Sequence, residues 1–176
     1  KGSGNRPAGN AANQSGHVVA SSTAKPGTPR ELCPASRAIS IDVPKAKMSS
    51  LDDKGVVTDG ASLETGGKWT WINVWAGWCG PCRAEIPRIK TFEDRLAKDG
   101  APVRIAFVSI DEDPREATRA MAALGMKSSY YLGDAKEKNR FLENVCVSAA
   151  AVPMQIFVDQ SGTIRCSASG EINDDD

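Results

Sequence analysis

The sequence predicts an α/β fold, with a mixed central sheet flanked by helices and an N-terminal hairpin extension. Three observations predict it. Apolar runs rich in β-branched and aromatic residues alternate with segments of helical apolar spacing. Two late runs are joined by Gln160-Ser161-Gly162, a hairpin signal. The densest run, residues 69–76, leads directly into Trp78-Cys79-Gly80-Pro81-Cys82 and then a helical pattern, so two cysteines sit on a strand-to-helix junction.

The first thirty residues differ in kind from the rest. Five Gly, five Ala, four Ser, three Asn and three Pro make up twenty of them, and Val18 and Val19 are the only large aliphatics. Such a segment buries too little apolar surface to order itself, so residues 1–30 are expected to form a flexible tether and residues 31–176 a single domain. The tether carries four basic residues and no acidic one; the other 146 residues hold 18 basic and 22 acidic groups, a net of −4. That mildly acidic balance, with no basic face, argues against a nucleic-acid partner. No stretch approaches the roughly 20 apolar residues of a membrane span.

Within the domain, Ile39, Ile41 and Val43 alternate as a short strand, and Val56-Val57 continue it after a turn at Asp53-Lys54-Gly55. Residues 69–76 form a buried strand, with Trp69, Trp71 and Trp75 on one face as core packing. After Cys82, the spacing of Ile86, Ile89, Phe92 and Leu96 predicts a helix that Pro87 should bend and Gly100 and Pro102 end. Residues 103–110 form a second buried strand. Residues 114–124 read as a helix capped by Asp113 and stopped by Gly125. Tyr130-Tyr131-Leu132 is a short extended piece, residues 135–145 a crossover helix, and residues 154–159 and 163–167 the final hairpin.

The junction carries the chemistry. Pro81 suits the first turn of a helix, where its missing N–H costs nothing. Cys79 then lies at the helix start, facing unpaired N–H groups and the positive end of the dipole. A thiolate is favoured there, and its pKa should fall from about 8.5 toward roughly 7 or lower. Cys82, one turn inside, should stay protonated longer. The asymmetry assigns the roles: Cys79 attacks, and Cys82 resolves the mixed disulfide. A zinc site needs four ligands, usually with a second Cys or His pair at short spacing. Cys33, Cys146 and Cys166 form no such pair and the one histidine, His17, lies in the polar tail, so no metal is expected.

Trp78-Cys79-Gly80-Pro81-Cys82 after a hydrophobic strand resembles the thioredoxin superfamily. Cys82-Arg83-Ala84-Glu85-Ile86-Pro87 is similar to the Cys-x-x-Glu-x-Pro of TlpA/ResA-like thiol–disulfide oxidoreductases, which are exported and usually membrane-anchored. Ala151-Val152-Pro153 stands where the superfamily carries a cis proline facing its redox pair, and Phe157-Val158-Asp159-Gln160-Ser161-Gly162 resembles its closing hairpin. The likeness spans roughly residues 38 to 172 and implies a thioredoxin-like fold. It implies a protein-disulfide reductase in an oxidising compartment such as the periplasm, serving cytochrome c maturation or similar clients. Its partners would be a disulfide-bearing client and an upstream thiol reductant. The expected protein is a monomer, uses no cofactor beyond the Cys79–Cys82 disulfide, and meets the membrane only through an anchor outside this sequence. A cytosolic thioredoxin bearing an extraneous tail is the competing reading. The resemblance also implies one more helix, where the chain stops at Asp174-Asp175-Asp176.

Thioredoxins carry a buried aspartate six residues before the first active cysteine; here that position is Asn73, which cannot take a proton. Glu85, three residues past Cys82 and on its helix face, is the substitute candidate for managing the Cys82 proton. The alternative is a surface Glu85 paired with Arg83 or Arg88. A cis Val152-Pro153 bond would leave the Val152 backbone near Cys79, where an extended client could add as a strand, and Pro153 would keep a metal or second thiol out. Trp78, Gly80, Pro81 and Val152 are therefore the candidate client-binding residues, with the Trp78 ring shielding the sulfur. A disulfide Cys33–Cys166 would tie the start of the fold to its last hairpin; Cys33–Cys146 competes with it, as do three buried free thiols. Two other functions remain open: a peroxide-reducing thiol enzyme, and a thioredoxin-like scaffold that binds polypeptide or copper without turnover.

Overall fold

A computed structural model describes residues 40–145 and 151–173. Over these residues the chain forms β1 (Ile41–Asp42), β2 (Met48–Asp52), β3 (Val57–Ala61), β4 (Trp69–Trp75), α1 (Gly80–Lys98), β5 (Val103–Ser109), α2 (Pro114–Leu124), β6 (Ser128–Tyr131), α3 (Ala135–Val145), β7 (Met154–Val158) and β8 (Thr163–Ser169). The strands make one mixed sheet in the order β1-β8-β7-β4-β5-β6-β2-β3. Pairs β4–β5 and β5–β6 are parallel, each joined by a helical crossover, and the other neighbours are antiparallel.

The centre of the sheet is β4. It is hydrogen-bonded on both edges and every residue after Trp69 is buried, as its β-branched and aromatic side chains, interrupted only by Asn73, require. Ile72, Val74 and Trp75 join Ile86 of α1, Val108 of β5, Met121 of α2, Phe141 of α3 and Ile156 of β7 in one core, and both Cys79 and Cys82 belong to it. Trp71 belongs to a smaller cluster with Ile89 and Ile172, its ring 6.3 Å from Phe92 and 5.5 Å from Phe157. Trp69 departs from the expected core face and is 40% exposed. It opens the strand at the end far from Cys79, beyond that cluster.

Local signals placed α2 and α3 at their expected bounds. Asp113 caps α2 by accepting from Arg115 N at 2.9 Å, and Gly125 ends it in the left-handed region, φ 63°. The helix after the cysteines runs unbroken through Pro87 to Lys98. The N-terminal part is rearranged. β1 covers only two residues and pairs with β8, whereas the strand paired with residues 57–61 across the turn is β2, which continues the sheet beside β6. Its buried residues Met48 and Leu51 are three apart, which hides them from a period-two reading; a register shift between Met48 and Ser49 lets both face the core. Asp52 organises the turn by accepting from Lys54 N and Val56 N. The 1–30 tether, His17, Cys33, Cys146 and Asp174–Asp176 lie outside the described residues.

Candidate active site

β4 ends at Trp75, and a short turn later the chain reaches Cys79, the N-cap of α1. Cys79 has extended backbone angles, and its Sγ accepts the Cys82 N–H at 3.2 Å, in the role usually taken by a Ser or Asp oxygen. Pro81 occupies the first turn and that turn carries no acidic side chain, so no carboxylate of that turn offsets the positive end of the helix at the sulfur. Cys79 and Cys82 are joined in a disulfide with Cα atoms 5.3 Å apart. Cys79 retains 3% of its surface and Cys82 none, so an attacking thiolate reaches the Cys79 sulfur first. Trp78 beside it is 44% exposed. Gly80 faces open space.

Glu85 is fully buried on the same helix, which removes the surface ion pair with Arg83 or Arg88 as an account of it. Its carboxylate accepts from Asn73 Nδ2 (2.6 Å), from Gln155 Nε2 at both oxygens (3.0 and 3.1 Å) and from the Ile172 N–H (2.8 Å). Burial pushes the Glu85 carboxyl above its ordinary value; the Ile172, Asn73 and Gln155 hydrogen bonds pull the other way, and Glu171 adds a like charge. Arg88 binds the Ile172 carbonyl and Glu171, which fixes the segment after β8 over the carboxylate. A raised carboxylate one helical turn from a thiol is suited to taking its proton.

A second buried carboxylate holds the loop. Asp111, past the end of β5, accepts the Gly77 N–H at both oxygens (2.9 Å each) and the Ser109 hydroxyl at 2.8 Å. Burial raises its carboxyl too, against those same hydrogen bonds. On its other side Gly77 lies against the α2 backbone, with no room for a side chain. Asp111 and Gln155 escape a reading of the sequence. Asp111 has one signal, a carboxylate at the carboxyl end of a buried parallel strand, where α/β folds place their sites. Gln155 has none, because a glutamine in an apolar strand declares no partner.

The Val152-Pro153 bond is cis. Pairing of Val74 with Met154 puts Pro153 at the end of β4 that leads to Cys79, and Val152 packs on the core that contains both cysteines. Cys166, buried in β8, is not a free thiol. The Cys33 half of the Cys33–Cys166 pairing, and its competitor Cys146, lie outside the described residues. Among those residues no group of three or more His, Cys, Asp or Glu is arranged for a metal ion.

With this geometry in place, the Redoxin family profile matches residues 41–175, most of the chain. The chain belongs to the Redoxin family. Its Redoxin domain is 31% identical over 134 residues to the thiol:disulfide interchange protein DsbE of Yersinia pestis, covering 75% of this chain and 64% of that protein. It is 28% identical over 131 residues to DsbE of Escherichia coli, covering 74% and 65%. Against the thiol:disulfide interchange protein HelX of Rhodobacter capsulatus it is 30% identical over 134 residues, covering 76% and 69%. The chain thus spans just under two thirds of the DsbE relatives. Among solved structures, the thioredoxin domain of a thiol-disulfide oxidoreductase from Bacteroides vulgatus superposes with a TM-score of 0.57 at 21% identity, over 76% of this chain and 91% of that one. A thioredoxin family protein from Chlorobium tepidum gives 0.55 at 22%, over 75% and 88%. The thioredoxin-like fold is therefore shared.

Proposed function

We propose that this Redoxin-family chain is a thiol–disulfide oxidoreductase that reduces disulfides of exported client proteins, as in cytochrome c maturation. The observation that carries it is the Cys79–Cys82 pair with Cys79 as the α1 N-cap, its sulfur the more accessible of the two. In the reduced protein the Cys79 thiolate attacks one sulfur of a client disulfide, and the other client sulfur leaves as a thiolate. Cys82 passes its proton to the Glu85 carboxylate and attacks Cys79 Sγ, which closes the Cys79–Cys82 disulfide and frees the second client thiol. An upstream thiol reductant reverses the sequence, so the couple draws on no further cofactor. The relatives' names, thiol:disulfide interchange proteins, support this reading. Trp78, Gly80, Pro81, Val152 and Pro153 frame the approach of an extended client to Cys79. One copy of the chain holds both sulfurs and the carboxylate, so a monomer suffices.

In this reading the protein works in an exported, oxidising compartment such as the periplasm. No helix among the described residues is long and apolar enough to cross a membrane. Recovery of the native protein with cytoplasmic markers would contradict export.

Glu85→Gln tests the proton step. A carboxylate accepts a proton only while ionised, so wild-type resolution slows as pH falls through the raised Glu85 value. The variant should lose that acid limb and resolve about 10²-fold more slowly at neutral pH. A wild-type pH profile in Glu85→Gln, measured by insulin-disulfide reduction, would remove the role.

A further inference from the structure

The amide of Gln155 has two faces with opposite effects on Glu85. Its NH2 group stabilises a carboxylate, and its carbonyl oxygen would repel one. Gln155, buried on β7, turns its Nε2 toward Glu85 and reaches both carboxylate oxygens. The opposite end of the amide explains why that face is chosen. Gln155 Oε1 accepts the Trp71 indole N–H at 2.8 Å and Asn73 Nδ2 at 3.1 Å. An indole N–H only donates, so rotating the amide would set donor against donor inside a buried cluster. The indole is itself held between Phe92 and Phe157.

We propose that Gln155 is a positioning residue for the proton transfer, its amide locked by the Trp71 indole so that the NH2 face meets Glu85 and keeps that carboxylate ionised, ready to accept the Cys82 proton. The inference deepens the oxidoreductase reading and rests on it. Every element packed against Glu85 contributes. β4 and β7 supply only neutral amides, Asn73 and Gln155. The segment after β8 supplies the Ile172 N–H and the like charge of Glu171, with Arg88 of α1 paired to Glu171. Without the Gln155 donors, only the Ile172 N–H and the Asn73 amide would oppose burial and Glu171, and the carboxyl would hold its proton to higher pH.

The test is a direct titration of Glu85 by carboxyl-carbon NMR on the full chain, paired with the pH profile of insulin-disulfide reduction. Gln155→Leu removes both donor contacts and should move the Glu85 midpoint and the acid limb upward together by about one pH unit. Trp71→Phe keeps an aromatic ring between Phe92 and Phe157 but frees the amide to rotate, so it should shift both the same way by about half a unit. A structural role alone would lower stability and leave both midpoints in place, and that result in folded Gln155→Leu overturns the inference. If Gln155→Leu does not fold, an unmoved midpoint in Trp71→Phe overturns it. An inactive wild type would instead overturn the oxidoreductase reading, which the NMR midpoints do not depend on.

Discussion

Cys79→Ser should abolish insulin-disulfide reduction, by about 10³-fold or more, because it removes the one sulfur among the described residues that is both reachable and polarised by a helix end. Cys82→Ser should behave differently. It leaves the attack intact and removes the resolving thiol, so a covalent Cys79–client adduct accumulates, visible by mass spectrometry and released by dithiothreitol. The two results together separate an enzyme from a scaffold that holds polypeptide or copper in the same groove. A scaffold would show no disulfide reduction in the wild type and no covalent adduct in Cys82→Ser, and that outcome contradicts the proposed mechanism. Were the roles reversed, adduct would form in Cys79→Ser instead.

Gly77→Ala should cost about 2–3 kcal/mol of stability and slow Cys79 roughly tenfold, although the residue has no side chain and does no chemistry. A Cβ there would lie 2.6 Å from the Glu116 carbonyl oxygen and 2.8 Å from its carbon. Both are backbone atoms of α2, so no side chain can swing aside, and either the loop or the helix must move. Moving the loop stretches the paired hydrogen bonds from Gly77 N to Asp111 and displaces the residue that caps α1. Gly80→Ala is the control. A methyl group at Gly80 would meet nothing within 4 Å, so stability should change by no more than about 0.5 kcal/mol. Urea unfolding and thiol alkylation of the two variants decide the matter; equal stability of Gly77→Ala and wild type would show that the contact is not tight.

What was legible in the sequence was what local chemistry encodes. Asp113 and Gly125 bracket α2 because a cap and a left-handed stop act within a few residues. β4 was readable because a central strand buried on both faces is dominated by β-branched and aromatic side chains, here with Asn73 as the one exception. The cysteine pair was readable because its spacing and the strand before it already imply the geometry of a helix N-terminus. The rest depended on partners far away in the chain. Met48 and Leu51 share a face only through an irregular register with β3. Trp69 looks like Trp71 in sequence, and only the reach of the core beneath the sheet separates them. Glu85 was a candidate from its helix position, but its burial depends on Asn73, Gln155 and Ile172, which arrive from two strands and the segment after β8. Gln155 and Asp111 acquire a role only once folding sets them beside Glu85 and Gly77.

The proposed chemistry rests on a difference between two sulfurs three residues apart, and thiol titration of the reduced protein measures it most directly. Rates of alkylation followed against pH, with each cysteine resolved by peptide mass, should show Cys79 reacting with a midpoint at roughly pH 7 or lower and Cys82 only well above it. Two cysteines that titrate together near the ordinary thiol value of about 8.5 would contradict the claim that the start of α1 activates Cys79.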